Sequence, residues 1–486
     1  MRARTRLIGL VIAGVALGAP AGALASSKTS FTISGGGFGH GIGMSQYGAL
    51  GFSLHHYSDS QILHHYYENT TIGVLKPAPE ITVLLDDGGL SFSGATEANG
   101  WDKLNASRKY GALNVGAGKI ELISGGKSYG TFRTPLRITD RGEIDVIGLG
   151  KYRGGLVLRP DGSGGIQTVN RLPLEDYVRG VIAAEMPSSW PAAALEAQAI
   201  AARTYAVASG AVSADYDVYP DTRSQMYGGV SAETTATNKA AAATAGEIVE
   251  HSGLPAVTYF FSSSGGYTES IQNVWLGTSP TAWLKGVPDP YDNSGGNPYY
   301  RWKVKLSLTS AADYLRGLYS GTLKGIKVLK TGVSPRVINA EVVGTKGSTD
   351  VSGPELEQLF GTMSTYMSFT TVTASGTIKS GGTGTGSTSD TSTTTTPTST
   401  TTTTSTTGGQ GLIARKVGSQ GGMEVTGDVF PVVSRRVTVQ RLVGGKWVTV
   451  AHGSVSSGGA YTVLVSAFGS YRVIYGGTVG PTVTVH

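Results

Sequence analysis

From Pro173 the chain places apolar side chains at Leu174, Tyr177, Val178, Val181 and Ile182. These are the i, i+3, i+4, i+7 and i+8 positions of one helical face, so the spacing predicts a buried amphipathic helix. Pro173 suits the first turn, and Glu175 and Asp176 follow where the helix dipole favours negative charge. Pro187 ends the helix, because a residue before proline avoids helical backbone. A second helix is predicted to about Gly210, with Ser188 or Ser189 as its cap and Pro191 in its first turn. Its face is built largely of alanine, which leaves room for close neighbours. Upstream, 81–170 reads as β-rich, with runs such as Ile81–Leu85 and Gly155–Leu158. Downstream, 212–350 mixes loops and short strands (Arg301–Leu306, Ile338–Val343) with one helix near 232–245.

Two compositional breaks divide the rest. Residues 375–409 are almost wholly Ser, Thr and Gly, a composition that cannot bury a core and predicts a disordered linker. Beyond it, 410–486 alternates apolar and polar residues in short runs punctuated by Gly444-Gly445 and Gly458-Gly459. That pattern predicts a small all-β sandwich, similar to immunoglobulin-like modules of secreted bacterial proteins. At the other end, three arginines within Met1–Arg6, an apolar run over Leu7–Pro20 and the small-residue triplet Ala23-Leu24-Ala25 read as a secretory signal peptide, 1–25. The apolar run is shorter than the roughly 20 residues that span a bilayer, so no stable membrane anchor is expected after cleavage. The expected fold class is α+β: a β-rich domain over 26–374 with a helical hairpin at 172–210, then linker and sandwich.

With 39% hydrophobic residues the 486-residue chain can bury a large core. It has no cysteine, which excludes disulfides, thiol nucleophiles and thiolate metal sites. The net charge of +6 suits an anionic polymer but serves solubility equally well. No basic stripe interleaved with aromatics is present, so no nucleic-acid partner is expected.

The residue that changes the picture is Glu185. It continues the apolar stripe at i+11, only ~20° from Leu174 at about 100° per residue, and it sits at the negative end of the helix. Both conditions disfavour its anion and mark it as a candidate general acid. The bland alternative is a glutamate that escapes to solvent or pairs with an arginine. Arg203 on the second helix reads either as a solvated or Glu196-paired arginine, or as one that orients Glu185 or a substrate. A glycine-rich loop holds His40, Gln46 and Tyr47, where glycine lets a ligand approach the backbone. Trp190, Tyr205 and Tyr227 offer flat faces for sugar rings or for core packing. Ser263, Ser264 and Gly265 read as a loop lining a groove, since no His–Asp pattern supports a serine nucleophile. His55, His56, His64 and His65 read as surface or half-buried histidines, so no metal and no cofactor is expected.

Several motifs together resemble the stage II sporulation protein D family (SpoIID/LytB, the amidase-enhancer family). They are Leu172-Pro173-Leu174-Glu175-Asp176-Tyr177, Glu185-Met186-Pro187-Ser188-Ser189-Trp190-Pro191, Ala197-Gln198-Ala199 and Ala201-Ala202-Arg203-Thr204-Tyr205-Ala206. Asp221–Gly229, Phe260–Glu269, Leu284–Asp289 and Gly39–Ala49 agree, so the resemblance runs over about 31–370. It implies a peptidoglycan lytic transglycosylase, secreted and cell-wall associated, that cuts MurNAc–GlcNAc bonds of peptide-free glycan strands and leaves 1,6-anhydro-MurNAc ends. It makes Glu185 the catalytic acid/base and ties Arg203 to activity. His40, Gln46, Tyr47, Gln198, Tyr205, Gln225, Tyr227, Ser263, Ser264 and Gly265 become candidate substrate-binding residues. The family name keeps an alternative open, a non-catalytic activator or scaffold of a cell-wall amidase, with that amidase as partner. Three departures stand out. The Gly39–Ala49 motif opens the chain, whereas in many relatives it closes the domain, so 31–75 is expected to pack near 350–370. Phe261 replaces a histidine that some relatives carry, so their zinc site cannot be built. Glu355–Gly361 lacks the basic residue usual in the closing motif.

Overall fold

The computed structural model describes residues 30–373, apart from 141 and 163, together with strands between 376 and 485. The proposed signal peptide and most of the proposed linker lie outside the described residues. The architecture is β-rich with a smaller helical share, arranged in several sheets.

The predicted helical stripe forms helix α3, Leu174–Glu185. Leu174, Tyr177, Val178, Val181 and Ile182 are all buried. At about 2 kcal/mol for each buried apolar side chain, this face is enough to fix the helix on its sheet. It packs into a core shared with Val83, Leu156, Leu158 and Leu172. Those residues come from a five-stranded sheet in which Ile166–Pro173 lies between Glu80–Asp86 and Gly155–Pro160. A six-stranded antiparallel sheet completes this first core.

Helix α4, Ala192–Ala208, follows α3 and stands at the centre of the molecule. Ala199, Ala202 and Ala206 face the first core. Leu195, Ala197, Ile200 and Ala201 face a second, built from α1 (Gln46–Leu54), α2 (Asp59–Tyr66) and strand Glu247–His251. Small side chains on both faces let α1, α2, α3 and α5 (Thr235–Ala243) all pack against this one helix. Neither Ser188 nor Ser189 caps α4: the N-cap is Pro191, without a side-chain hydrogen bond. Ser58 does cap α2, in a reciprocal capping box with Gln61.

A third core gathers the two ends of the described body. Strand Ser30–Gly35 lies between Trp302–Ser307 and Met367–Thr373. Phe31 and Ile33 face inward with Val337, Val342, Leu356 and Phe369. The glycine-rich loop therefore starts beside the last strands of this body. The serine/threonine tract begins differently from expectation, because Gly376–Lys379 adds a strand to the same sheet. Backbone pairing there does not depend on apolar side chains, so composition gave no sign of it.

In the C-terminal region, strands Gln410–Val417, Gly422–Val429 and Ala460–Val465 form one antiparallel sheet. Arg436–Val443, Lys446–Ser454, Gly469–Tyr475 and Thr478–Val485 form a second. No helix among the described residues is long and apolar enough to cross a membrane.

Candidate active site

Glu185 is the last residue of α3, and Met186 leaves the helix in extended backbone (φ −126°, ψ 143°) ahead of Pro187. Its carboxylate is held from two sides. Oε1 accepts the backbone N–H of Met226 at 2.8 Å, and Oε2 accepts Nε2 of Gln46 at 3.2 Å. Burial raises its pKa, while these two donors pull the other way and do not cancel the rise. The half-buried carboxyl thus retains its proton to higher pH than an ordinary glutamate.

Each donor has its own support. Gln46 is the first residue of α1, whose N-cap is Ser45: Ser45 Oγ accepts from Gly48 N (3.1 Å) and donates to Asp292 Oδ1 (2.7 Å). Asp292, fully buried, also accepts from Ser263 Oγ, Ser264 N, Gly265 N and Asn297 Nδ2. One carboxylate thereby ties the glycine-rich loop to the Ser263–Gly265 turn. The loop needs glycine at Gly43, where φ is +74° and a Cβ would lie 2.1 Å from the Tyr259 carbonyl oxygen. Met226 is held between two buried neighbours. Gln225 accepts from Tyr177 Oη (2.9 Å) and donates to the Ala202 carbonyl, and Tyr227 donates to Asn170 Oδ1 (2.8 Å).

The remaining candidates divide by placement. Tyr47 is half-buried beside Trp190 and Tyr299, with ring centroids at 5.1 and 5.9 Å. His40 packs against Phe261 and Trp275, and its Nδ1 accepts the Ile42 N–H, so Nε2 carries the proton of the neutral ring. Burial, then the nearby Arg336 charge, push it down to about 4. Tyr205 is half-buried against Tyr259 and Phe260. Gln198 is fully buried with neither amide atom hydrogen-bonded. Ser263, Ser264 and Gly265 are buried in the Asp292 network and support the loop from behind rather than line an open groove.

Arg203 corrects the sequence reading. It is fully buried, so it is not solvated, and its partner is neither Glu196 nor Glu185. Its Nε and Nη2 donate to the two oxygens of Glu175 at 2.8 and 2.7 Å, and Nη1 donates to the Glu247 carbonyl at 3.0 Å. The guanidinium clamps the start of α3 to α4 and to the neighbouring strand, so it acts on Glu185 only through the helix that carries it. His65 likewise serves structure, its Nε2 meeting the Pro288 carbonyl oxygen.

Three residues around Glu185 and its supporting loop were not among the candidates from the sequence. Met226 contributes only its N–H, which no residue type announces, although it lies between two candidates. Asp292 and Asp289 sit in Pro288-Asp289-Pro290-Tyr291-Asp292, where two acids three positions apart in a loop are the signal the sequence carries. Asp289 is buried with both oxygens lacking a hydrogen-bond partner of good geometry, and burial and then the Asp292 charge push it up to about 8.

Residues 162–251 match the family model described as "Stage II sporulation protein" (SpoIID). The match takes in α3, α4 and α5, and therefore Glu185, Arg203 and Met226, but not the His40–Tyr47 loop. Stage II sporulation protein D of Bacillus subtilis is 38% identical over 152 residues, covering 28% of this chain and 43% of that protein. An uncharacterised protein of Brachyspira hyodysenteriae is 38% identical over 152 residues, covering 31% of this chain and 40% of that protein. The amidase enhancer of Bacillus subtilis is 37% identical over 131 residues, covering 27% of this chain and 17% of that protein. The chain thus spans less than half the length of each of these relatives.

Proposed function

We propose that this chain, which carries a SpoIID-family domain over residues 162–251, is a secreted peptidoglycan lytic transglycosylase with Glu185 as its acid/base. The observation that carries the reading is the carboxyl of Glu185, raised in pKa by burial yet gripped by Met226 N–H and Gln46. Oε1, held by the rigid backbone donor, is the fixed acceptor. Oε2, with the longer bond from a side-chain amide, is the oxygen that carries the proton. It gives that proton to the glycosidic oxygen of a MurNAc–GlcNAc bond as the bond breaks. The resulting carboxylate, steadied by both donors, takes the proton of the muramyl 6-hydroxyl, whose oxygen closes the 1,6-anhydro ring on the anomeric carbon. A substrate hydroxyl is the nucleophile, so the second carboxylate of ordinary glycosidases is not needed. The 410–486 strands are read as an appended sandwich that spaces or anchors the enzyme in the wall.

The test is digestion of peptide-free glycan strands by the wild type and by Glu185→Gln, with products read by mass spectrometry. Cleavage by the wild type alone supports the proposal, and equal cleavage by the variant would remove Glu185 from it. A second reading, activation of a cell-wall amidase, is favoured by the similarity to a protein named amidase enhancer. Under that reading Glu185→Gln retains full stimulation of an amidase and neither protein cuts glycan.

A further inference from the structure

One exposed aromatic residue is displayed rather than tucked away. Phe38 is 42% exposed and belongs to none of the hydrophobic cores. An apolar ring of this size normally turns inward. Phe38 N–H donates to the Ser263 carbonyl at 2.8 Å, and Ser263 N–H donates back to the Phe38 carbonyl at 3.1 Å. The flanking Gly37 has φ +77°, and a Cβ there would lie 2.6 Å from the Ser263 carbonyl oxygen. Ser263 is in turn fixed by Asp292. These bonds fix the backbone at Phe38, whose ring stays largely in solvent against Tyr299.

Phe38 is also the end of a row. Its ring lies 5.0 Å from that of Tyr299, Tyr299 lies 5.9 Å from Tyr47, and Tyr47 lies 5.1 Å from Trp190. The last three are half-buried. Tyr47 directly follows Gln46, which bonds Glu185, and Trp190 lies in the turn just after Glu185. The Tyr47–Trp190 end of the row is thus carried by the segments that hold Glu185 and its Gln46 donor, and Phe38 stands at the other end. Each ring-to-ring step is close to the length of one pyranose unit. Aromatic faces bordered by phenolic hydroxyls and an amide match a pyranose, which offers axial C–H bonds on its face and hydroxyls at its rim. Asp292, behind the loop, is buried and spent on internal hydrogen bonds, so it adds no open carboxylate to the row.

We propose that Phe38, Tyr299, Tyr47 and Trp190 form an extended binding platform for the sugar rings of a glycan strand, with Phe38 as the subsite farthest from the cleaved bond. It rests on the reading of Glu185 as the site of attack, and it adds a length preference: strands long enough to reach Phe38 bind more tightly than short ones. The platform contacts saccharide only, so it holds the strand in place without taking part in proton transfer.

The test uses the full chain carrying Glu185→Gln, so that binding is measured without turnover. Calorimetric titrations are run with peptide-free glycan strands and with a GlcNAc–MurNAc disaccharide. Adding Phe38→Ala is expected to weaken long strands about tenfold, the scale for removing one aromatic anchor, and to leave the disaccharide unchanged. Phe38→Trp is expected to restore the long-strand affinity. Tyr299→Ala reports the next subsite, and thermal unfolding of each variant checks that the fold is kept. Unchanged long-strand affinity in both alanine variants, or equal weakening of long strand and disaccharide by Phe38→Ala, would overturn the platform. Tight, Phe38-dependent binding with no cleavage by the wild type would instead refute the transglycosylase reading and leave the platform standing.

Discussion

Glu175→Ala is the perturbation that asks most directly whether Arg203 is a clamp. The substitution leaves a fully buried guanidinium with its two carboxylate bonds gone. It also strips Gly246 N–H of its acceptor, Glu175 Oε1 at 3.1 Å. Breaking one side of a buried ion pair costs about 3–5 kcal/mol. Glu175 keeps 25% of its side-chain surface, so water partly replaces it, which places the loss near the low end, about 3 kcal/mol. At roughly 2–4 °C per kcal/mol for a body of this scale, the melting temperature falls by roughly 6–12 °C. Circular dichroism melts of the full chain measure it. Glu175→Gln keeps one acceptor and loses less. The double replacement Glu175→Leu with Arg203→Met recovers most of the loss, because no charge remains buried. A Glu175→Ala protein that melts within about 1 °C of the wild type would show that the pair does not clamp α3 to α4. Since Arg203 does not touch Glu185, Arg203→Lys should lower activity without moving the pH profile.

Two further outcomes follow from the buried charges. Asp289, raised from 3.8 to about 8, keeps a proton in the folded chain that the unfolded chain has released, so stability falls as pH rises through that window. Glu357, pushed up to about 7 by burial, falls in the same direction, while His40, pushed down to about 4, adds stability as pH rises to its ordinary 6.5. Between pH 7 and 8 Asp289 holds more of the retained proton than Glu357 does, so Asp289→Asn should flatten most of the decline of urea stability there; an unchanged slope would be against it. Gln46→Ala removes the donor on Glu185 Oε2, which destabilises the carboxylate, moves the alkaline limb of the pH–rate profile upward and lowers kcat by up to about a hundredfold. A profile that stays put would mean that Gln46 does not act on Glu185.

What was legible in the sequence was what local periodicity encodes. The stripe Leu174–Ile182 is buried as its spacing requires, and the same stripe pointed to Glu185. Alanine on two faces of α4 anticipated its tight surroundings, though not that it would serve two cores at once. Partners distant in the chain were not legible. Gln46 and Glu185 are 139 positions apart, and Arg203 and Glu175 are 28 apart. Which residue meets which depends on how α1, α3 and α4 dock, and no spacing rule states that. Ser263 and Ser264 read as a loop lining a groove, a place where polar side chains usually meet solvent or ligand. They are buried because Asp292 supplies the hydrogen bonds that water would have made. For Arg203 the sequence left open a solvated side chain, a Glu196 pair, or a role orienting Glu185 or a substrate, and the structure pairs its planar fork with both oxygens of Glu175.

The most direct test of the central claim is to run the digestion of peptide-free glycan strands in heavy-oxygen water and to read the new muramyl ends by mass spectrometry. Intramolecular closure by the 6-hydroxyl predicts anhydro ends free of solvent oxygen with the wild type and no new ends with Glu185→Gln. Reducing ends that carry the heavy oxygen would mean that water is the nucleophile, and the account of Glu185 as the acid/base of a water-free cleavage would be wrong.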